Sequence, residues 1–173
     1  LSLLRREAEW GGRSTVFLVP SGRLWETWSD EEIAEARRLG ADLELHWNRF
    51  AMPAGVWKVE PYKTVYRLSA QRETLRRRGI DATVNRTHYL HLGSDLSEFF
   101  RTLDAAGIEV DATFGPNRAG RGHLFGTARP FHPIDRTGLP SPVVARGWMS
   151  FSGSRTFPQL SHWSERAPAK PHI

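Results

Sequence analysis

Four polar residues of types that carry out chemistry stand at or near the ends of strand-like runs, and helical patterns separate these runs. They are His46, Arg86, His88 and Asp111. In a parallel α/β sheet the carboxyl ends of all strands meet at one edge, and ligands bind at that edge. We therefore predict that these four side chains, although distant in sequence, converge on one site.

Each of the four side chains suits a particular chemical role. His46 and His88 could ligate a metal or transfer protons, because imidazole titrates near neutral pH and is a common metal ligand. Arg86 has no acid–base role, but it can orient a carboxylate or bind a substrate anion. Asp111 could act as a base, orient a histidine or form a cap. A structural histidine or a structural salt bridge is the alternative interpretation at each position.

Trp47 follows His46 directly and is one of seven tryptophans in the chain. An indole beside a catalytic histidine could stack on the face of a sugar. The alternative is packing in the core or at its rim, which is the usual role of a tryptophan. We expect Trp47 to bind substrate and the other tryptophans to pack.

Strand and helix patterns alternate along the chain at the spacing of βα units. Helices are predicted at 1–10, after Ser29, at 61–78, and after Ser94 or Asp95, and strands are predicted at 15–19, 43–47, 82–86, 108–114 and 143–151. Such alternation predicts an α/β fold with a parallel sheet and right-handed crossovers. Because four or five strands are too few for a full barrel, the sheet is either open or an incomplete (β/α) barrel.

The domain is predicted to span residues 1–151, with a tail at 152–173 that is rich in Ser, Pro and Arg. Segment 115–142 departs from the alternation, because it contains five glycines and five prolines. Long irregular loops in compact domains are often functional. We predict that this segment folds over the active edge, and that its Arg129 and Phe131 contact the ligand.

Composition narrows the possible functions. The net charge is +5, and only three of the 24 basic residues are lysines. The arginines are spread over every segment, which argues against a nucleic-acid interface. The absence of cysteine excludes disulfides and thiolate metal ligands. No apolar run approaches the roughly 18 residues that a membrane span needs, and no signal-peptide pattern stands at the start.

Several stretches resemble the polysaccharide deacetylases. Residues 40–46 are similar to the run that ends at a metal-binding histidine in that family, and Arg86 matches the arginine of the family's Arg-x-Pro motif, with His88 in place of the proline. Further similar stretches are 12–19, 103–115 and 126–131. The resemblance covers roughly residues 12–135.

The resemblance implies a distorted, incomplete (β/α) barrel and a divalent metal, usually zinc, held by one aspartate and two histidines. The metal would activate a water molecule that attacks the acetamide of an N-acetylated sugar or a related small amide, with an aspartate as general base. Carried onto this chain, the metal ligands are His46 and His88 and the catalytic residues are Arg86, His88 and Asp111. The substrate-binding residues are Trp47, Arg129 and Phe131.

The chain departs from the family pattern at three points. Phe50 stands where the second metal histidine is expected, so His88 would replace it, with its other ring nitrogen held by Asp111. The family's paired aspartates would precede residue 1, and a Leu-x-His motif is present only as Leu160-Ser161-His162. An inactive carbohydrate-binding homologue is the alternative, and its sugar platform would be Trp47, Phe125 and Phe131. Nucleic-acid binding is a third and less favoured function.

Overall fold

The computed structural model describes residues 1–21, 28–51, 58–59, 64–114 and 129–146. Four α-helices occur in these ranges: α1 (Ser2–Glu9), α2 (Asp30–Arg38), α3 (Leu68–Arg76) and α4 (Leu96–Ala105). Two 3-10 turns are present at Thr64–Tyr66 and His88–Leu90. None of the described helices is long and apolar enough to cross a membrane.

Five short strands form one parallel sheet: β1 (Thr15–Leu18), β2 (Asp42–Leu45), β5 (Val84–Asn85), β6 (Val110–Asp111) and β7 (Val144–Ala145). Their order in the sheet is β1-β2-β5-β6-β7, which is also their order in the chain. Two further strands, β3 (Phe50–Ala51) and β4 (Lys58–Val59), form a separate antiparallel pair. Right-handed crossovers between consecutive parallel strands put the connecting helices on one side of a sheet, and α2, α3 and α4 all contribute to the core that contains Leu43 and Leu45.

Side chains at the helix ends explain where the helices begin and stop. Ser29 and Glu32 form a capping box at the start of α2, where a helix was predicted after Ser29. The Ser29 hydroxyl accepts from Glu32 N at 3.2 Å, and the Glu32 carboxylate accepts from Ser29 N at 3.0 Å. Asp95 caps α4. Gly107 follows α4 with φ +71, and a Cβ there would lie 2.7 Å from Arg72 Nη1. Only glycine fits that position without strain.

The core lies between the sheet and the helices. In β2 the side chains alternate, because Leu43 and Leu45 are buried whereas Asp42 is exposed and Glu44 is partly buried. The helices contribute Ile33 and Ala36 from α2, Leu68 and Leu75 from α3, and Phe99, Phe100 and Leu103 from α4. The side of the sheet that carries Leu43 and Leu45 is called the helix face below.

The predicted α/β architecture with a parallel sheet is confirmed. The strands fall within or beside the predicted runs but are shorter. The predicted helix at 61–78 becomes a 3-10 turn followed by α3, since α3 begins only at Leu68. Between the predicted strand at 43–47 and the predicted helix at 61–78, the structure contains β3 and β4, which the sequence patterns did not predict. Residues 115–128 and the predicted tail lie outside the described ranges.

Candidate functional site

The register of the sheet divides the strand-end residues between its two faces. Leu45, Asn85 and Asp111 are aligned across β2, β5 and β6. Because side chains alternate along a strand, the residues one step later point to the opposite face. The ladder continues past the strand ends, since Arg86 N donates to Leu45 O and His88 N donates to Trp47 O, both at 2.9 Å.

Two groups of predicted site residues result from this alternation. His46, Arg86 and His88 share one face, called the histidine face below. Trp47, Asn85, Thr87, Asp111 and Thr113 share the helix face. The predicted row of four polar residues is therefore split, with Asp111 on the side of the sheet away from the two histidines.

The two histidines on the histidine face are in direct contact. His46 Nε2 and His88 Nδ1 lie 3.0 Å apart, and the ring planes are perpendicular with centroids 5.1 Å apart. His46 Nδ1 is buried and has no hydrogen-bond partner among the described residues. One ring must donate to the other in the metal-free protein, since a hydrogen bond needs one protonated nitrogen.

Burial keeps this pair neutral. Burial, together with the smaller effects of the nearby His88 and Arg86, lowers the pKa of His46 to about 4. Burial also lowers the pKa of His88. Neutral imidazole is the form that offers a lone pair to a metal ion. Arg86 is half-buried, which lowers its pKa, but a guanidinium remains charged at neutral pH.

Asp111 belongs to a buried polar network on the helix face. Its Oδ1 accepts from Asn85 Nδ2 and from the Thr113 hydroxyl, both at 2.7 Å, and its Oδ2 accepts from Thr113 N at 3.1 Å. Burial raises the pKa of Asp111 to about 6, and these hydrogen bonds oppose that rise. The prediction that Asp111 fixes the second nitrogen of His88 is wrong, because the two residues lie on opposite faces.

Trp47 is part of the core and not a sugar platform. Its side chain is 4% exposed, and its Nε1 donates to Tyr66 O at 2.8 Å. The ring stacks on Phe99 with centroids 6.2 Å apart, and the Arg49 guanidinium lies 5.0 Å from its centroid. The substrate-stacking prediction for Trp47 is therefore wrong, since β-strand alternation turns it towards α4.

The two substrate-binding residues predicted in segment 115–142 differ in their surroundings. Phe131 is half-buried, pairs with Ala145 in an isolated bridge, and contacts the Phe114 ring at 5.6 Å between centroids. This contact joins it to the packing around α4. Arg129 is exposed, and its contact with a substrate stays a prediction. Phe125 lies outside the described ranges.

The turn after His88 is strained. Tyr89 and Leu90 have φ of 58 and 53, and neither is glycine. The Tyr89 ring lies 4.3 Å from the His88 ring and is 57% exposed. Phe50, at the expected position of the second metal histidine, packs edge-on against Tyr89 and His91. Such strain is common at functional sites.

Gln71 and Glu44 hold the strand of His46 in place and were not predicted. Gln71 of α3 is buried, and it accepts from Asn48 N at 3.0 Å and donates to Asn48 O. Glu44 is partly buried, which raises its pKa to about 7, and it contacts the backbone of the neighbouring strand. Their only sequence signal was a polar side chain within an apolar pattern.

The histidine pair fits two ligands of one metal ion. Two nitrogens on one tetrahedral zinc, each about 2.0–2.1 Å from it, lie about 3.3 Å apart, and His46 Nε2 and His88 Nδ1 are 3.0 Å apart. To bind one ion, each ring would have to turn so that the nitrogen now directed at the other ring points at the ion. Within the described part of the chain, no group of three or more His, Asp or Glu residues is arranged to hold a metal.

Comparison with known proteins adds no relative. No protein-family model, no curated protein and no solved structure matches this chain.

Proposed function

We propose that this chain is a metal-dependent hydrolase of the polysaccharide deacetylase type, which removes acyl groups from N-acetylated sugars or a related small amide. The observation that carries the proposal is the 3.0 Å contact between His46 Nε2 and His88 Nδ1. Both histidines are on one face at the carboxyl edge of a parallel sheet, where ligands of such folds bind. Both are also held in the neutral form that ligates metals.

The strand order supports a barrel-like arrangement. Open doubly wound sheets reverse their strand order at a switch point, whereas this sheet runs β1-β2-β5-β6-β7 without a reversal. An uninterrupted order is that of a (β/α) barrel arc. We therefore propose that the domain is of the incomplete barrel type, with the histidine face as its inner surface.

Each residue of the histidine face has a distinct role in the proposed reaction. A divalent metal, zinc by preference, would polarise the acyl carbonyl and lower the pKa of a water molecule. His46 and His88 would hold it. Arg86 lies beside His46 in the next strand and would orient a carboxylate base or the substrate. We do not include Asp111 among the catalytic residues. Its hydrogen bonds to Asn85 and Thr113 hold the strand ends together on the opposite face.

Metal binding by single-histidine variants tests the proposal. Zinc content and zinc affinity are measured on the purified protein, on His46→Ala and on His88→Ala. His132→Ala is the matched control, because His132 is exposed and bonded to Ser141 O outside the pair. We expect each site variant to lose about 100-fold or more in zinc affinity, because loss of a residue that merely orients a ligand already costs about 10- to 100-fold. The control should bind zinc as the wild type does.

Activity is measured in parallel on an N-acetylglucosamine oligosaccharide. Acetate release should stop after chelation and return with zinc. A wild-type protein that binds no divalent metal would contradict the proposal. The alternative of an inactive carbohydrate-binding protein has lost its main support, since the indole of Trp47 is in the core.

A further inference from the structure

Glu44 joins two strands in an unusual way. Its Oε2 accepts from Thr83 N at 3.0 Å and from Val84 N at 2.9 Å. Both amides belong to the chain entering β5, whereas Glu44 is in β2. In a regular parallel ladder the acceptor on β2 would be a main-chain carbonyl. A carboxylate takes that place here, so the β2–β5 pairing begins only at Leu45 and Asn85.

The other side of the same segment is bonded normally. Thr83 O accepts from Glu109 N at 2.8 Å and from Val110 N at 3.2 Å. The entry to β5 is therefore fixed to β6 by main-chain bonds and to β2 by the Glu44 side chain. Further along, β5 is joined to β2 by the bonds from Arg86 N to Leu45 O and from His88 N to Trp47 O.

These attachments control the geometry of the histidine pair. His46 lies two residues after Glu44 on β2, and His88 lies four residues after Val84 on the chain leaving β5. The lateral offset of the two strands sets the distance between the rings. Among the three attachments named here, that of Glu44 is made by a side chain, so it can be altered by substitution without changing the backbone.

We propose that Glu44 is a positioning residue, which clasps β5 from β2 and thereby sets the spacing of His46 and His88. The metal part of this inference rests on the proposed function. The spacing itself does not, because the two imidazoles are in contact in the metal-free protein. Partners that orient metal ligands typically change metal affinity by about 10- to 100-fold when they are removed.

Two measurements on the full chain test the clasp. Imidazole nitrogen NMR of the metal-free protein reports the hydrogen bond and tautomers of His46 and His88, and titration with zinc alone reports affinity. Glu44→Met keeps the length of the side chain but has no acceptor, so we expect loss of the defined tautomer pair and about 10-fold weaker zinc binding. Glu44→Gln keeps an acceptor oxygen and should restore both signals.

Controls separate positioning from charge and from folding. Asp42→Asn removes an exposed carboxylate from the same strand and should change neither signal. If Glu44→Met does not fold, Glu44→Asp replaces it, because the shorter side chain cannot reach both amides. Wild-type tautomers and zinc affinity in a folded Met or Asp variant would overturn the proposal. A wild-type protein with paired tautomers but no zinc binding would refute the proposed function and leave the clasp to be judged from the NMR signals.

Discussion

At the carboxyl edge of the sheet, both faces carry polar side chains, but these side chains differ in how they are bonded. On the histidine face, His46 and His88 contact each other, and His46 Nδ1 has no partner within the described ranges. On the helix face, Asp111 is saturated by Asn85 and Thr113 and has no exposed surface. Unused bonding capacity alone does not distinguish the faces, because Asn85 Oδ1 on the helix face is also buried without a partner within the described ranges. The difference is the pair of contacting imidazoles, which in their neutral form can ligate a metal. Under the proposed function, the first face therefore carries the chemistry and the second face supports it.

The largest effects are expected from substituting two adjacent residues that lie on opposite faces, Trp47 and His46. Trp47→Ala should cost about 3–5 kcal/mol of unfolding free energy, because it empties a large buried volume and breaks the Phe99 stack. His46→Ala should cost much less stability but remove zinc binding. Urea denaturation and zinc titration of both variants measure the two effects. If a folded Trp47→Ala loses zinc affinity as completely as His46→Ala, the faces are not separate in function.

The second prediction concerns Asp111 on the helix face and the pH dependence of the free energy of unfolding. The pKa of Asp111 is raised from 3.8 to about 6 in the folded protein. Between these values the folded state holds a proton that the unfolded state has released, so stability falls as pH rises from about 4 to about 6 and then levels. This difference corresponds to about 3 kcal/mol.

Asp111→Asn removes that dependence. Denaturation of the wild type and the variant at intervals from pH 4 to pH 7 gives a difference curve that isolates Asp111, because His46 and Glu44 titrate in both proteins. We expect the stability of the wild type relative to the variant to decrease over this range. A difference in stability that does not change with pH would show that burial does not raise the pKa of Asp111.

Local signals in the sequence predicted most of the fold. Ser29 and Asp95 marked helix starts correctly, since capping depends on neighbours within a few residues. The order of strands and helices predicted a parallel sheet. The pairing of β3 with β4 was missed because two-residue strands carry no periodic signal.

The site was half predictable, for a reason that Trp47 and Asp111 share. Residue type and strand-end position located the edge and brought His46 beside His88. The face on which a side chain lies depends on the register of its strand, and a change of register by one residue moves the side chain to the opposite face. The row treated Asp111 as a neighbour of His88, although Asp111 aligns with Asn85. The sequence marked Glu44 only as a polar residue in an apolar run, because its partners are backbone amides of another strand.

Removing one hydroxyl from the helix face should have an intermediate effect. Thr113→Val deletes the donor to Asp111 Oδ1 and the acceptor of Thr87 N at 2.9 Å. Leaving buried groups unsatisfied costs about 1–3 kcal/mol. Thr102→Val is the control, because Thr102 is exposed and its hydroxyl donates to Glu98 O within α4. Denaturation should separate the two variants, and zinc affinity should be equal in both. Weaker zinc binding by Thr113→Val would mean that the network also shapes the histidine face.

The smallest effect is expected for Phe131, whose ring could either pack in the core or contact the substrate. It contacts Phe114, which in turn stacks on Phe100 at 5.7 Å, so we assign it to packing around α4. Phe131→Leu keeps most of the apolar volume and loses an aromatic pair worth about 0.5–1.5 kcal/mol. Thermal melting should detect this loss, while KM for the acetylated oligosaccharide should stay at the wild-type value. The opposite pattern, an unchanged melting temperature with a raised KM, would place Phe131 in the substrate site and make the two faces meet at this residue.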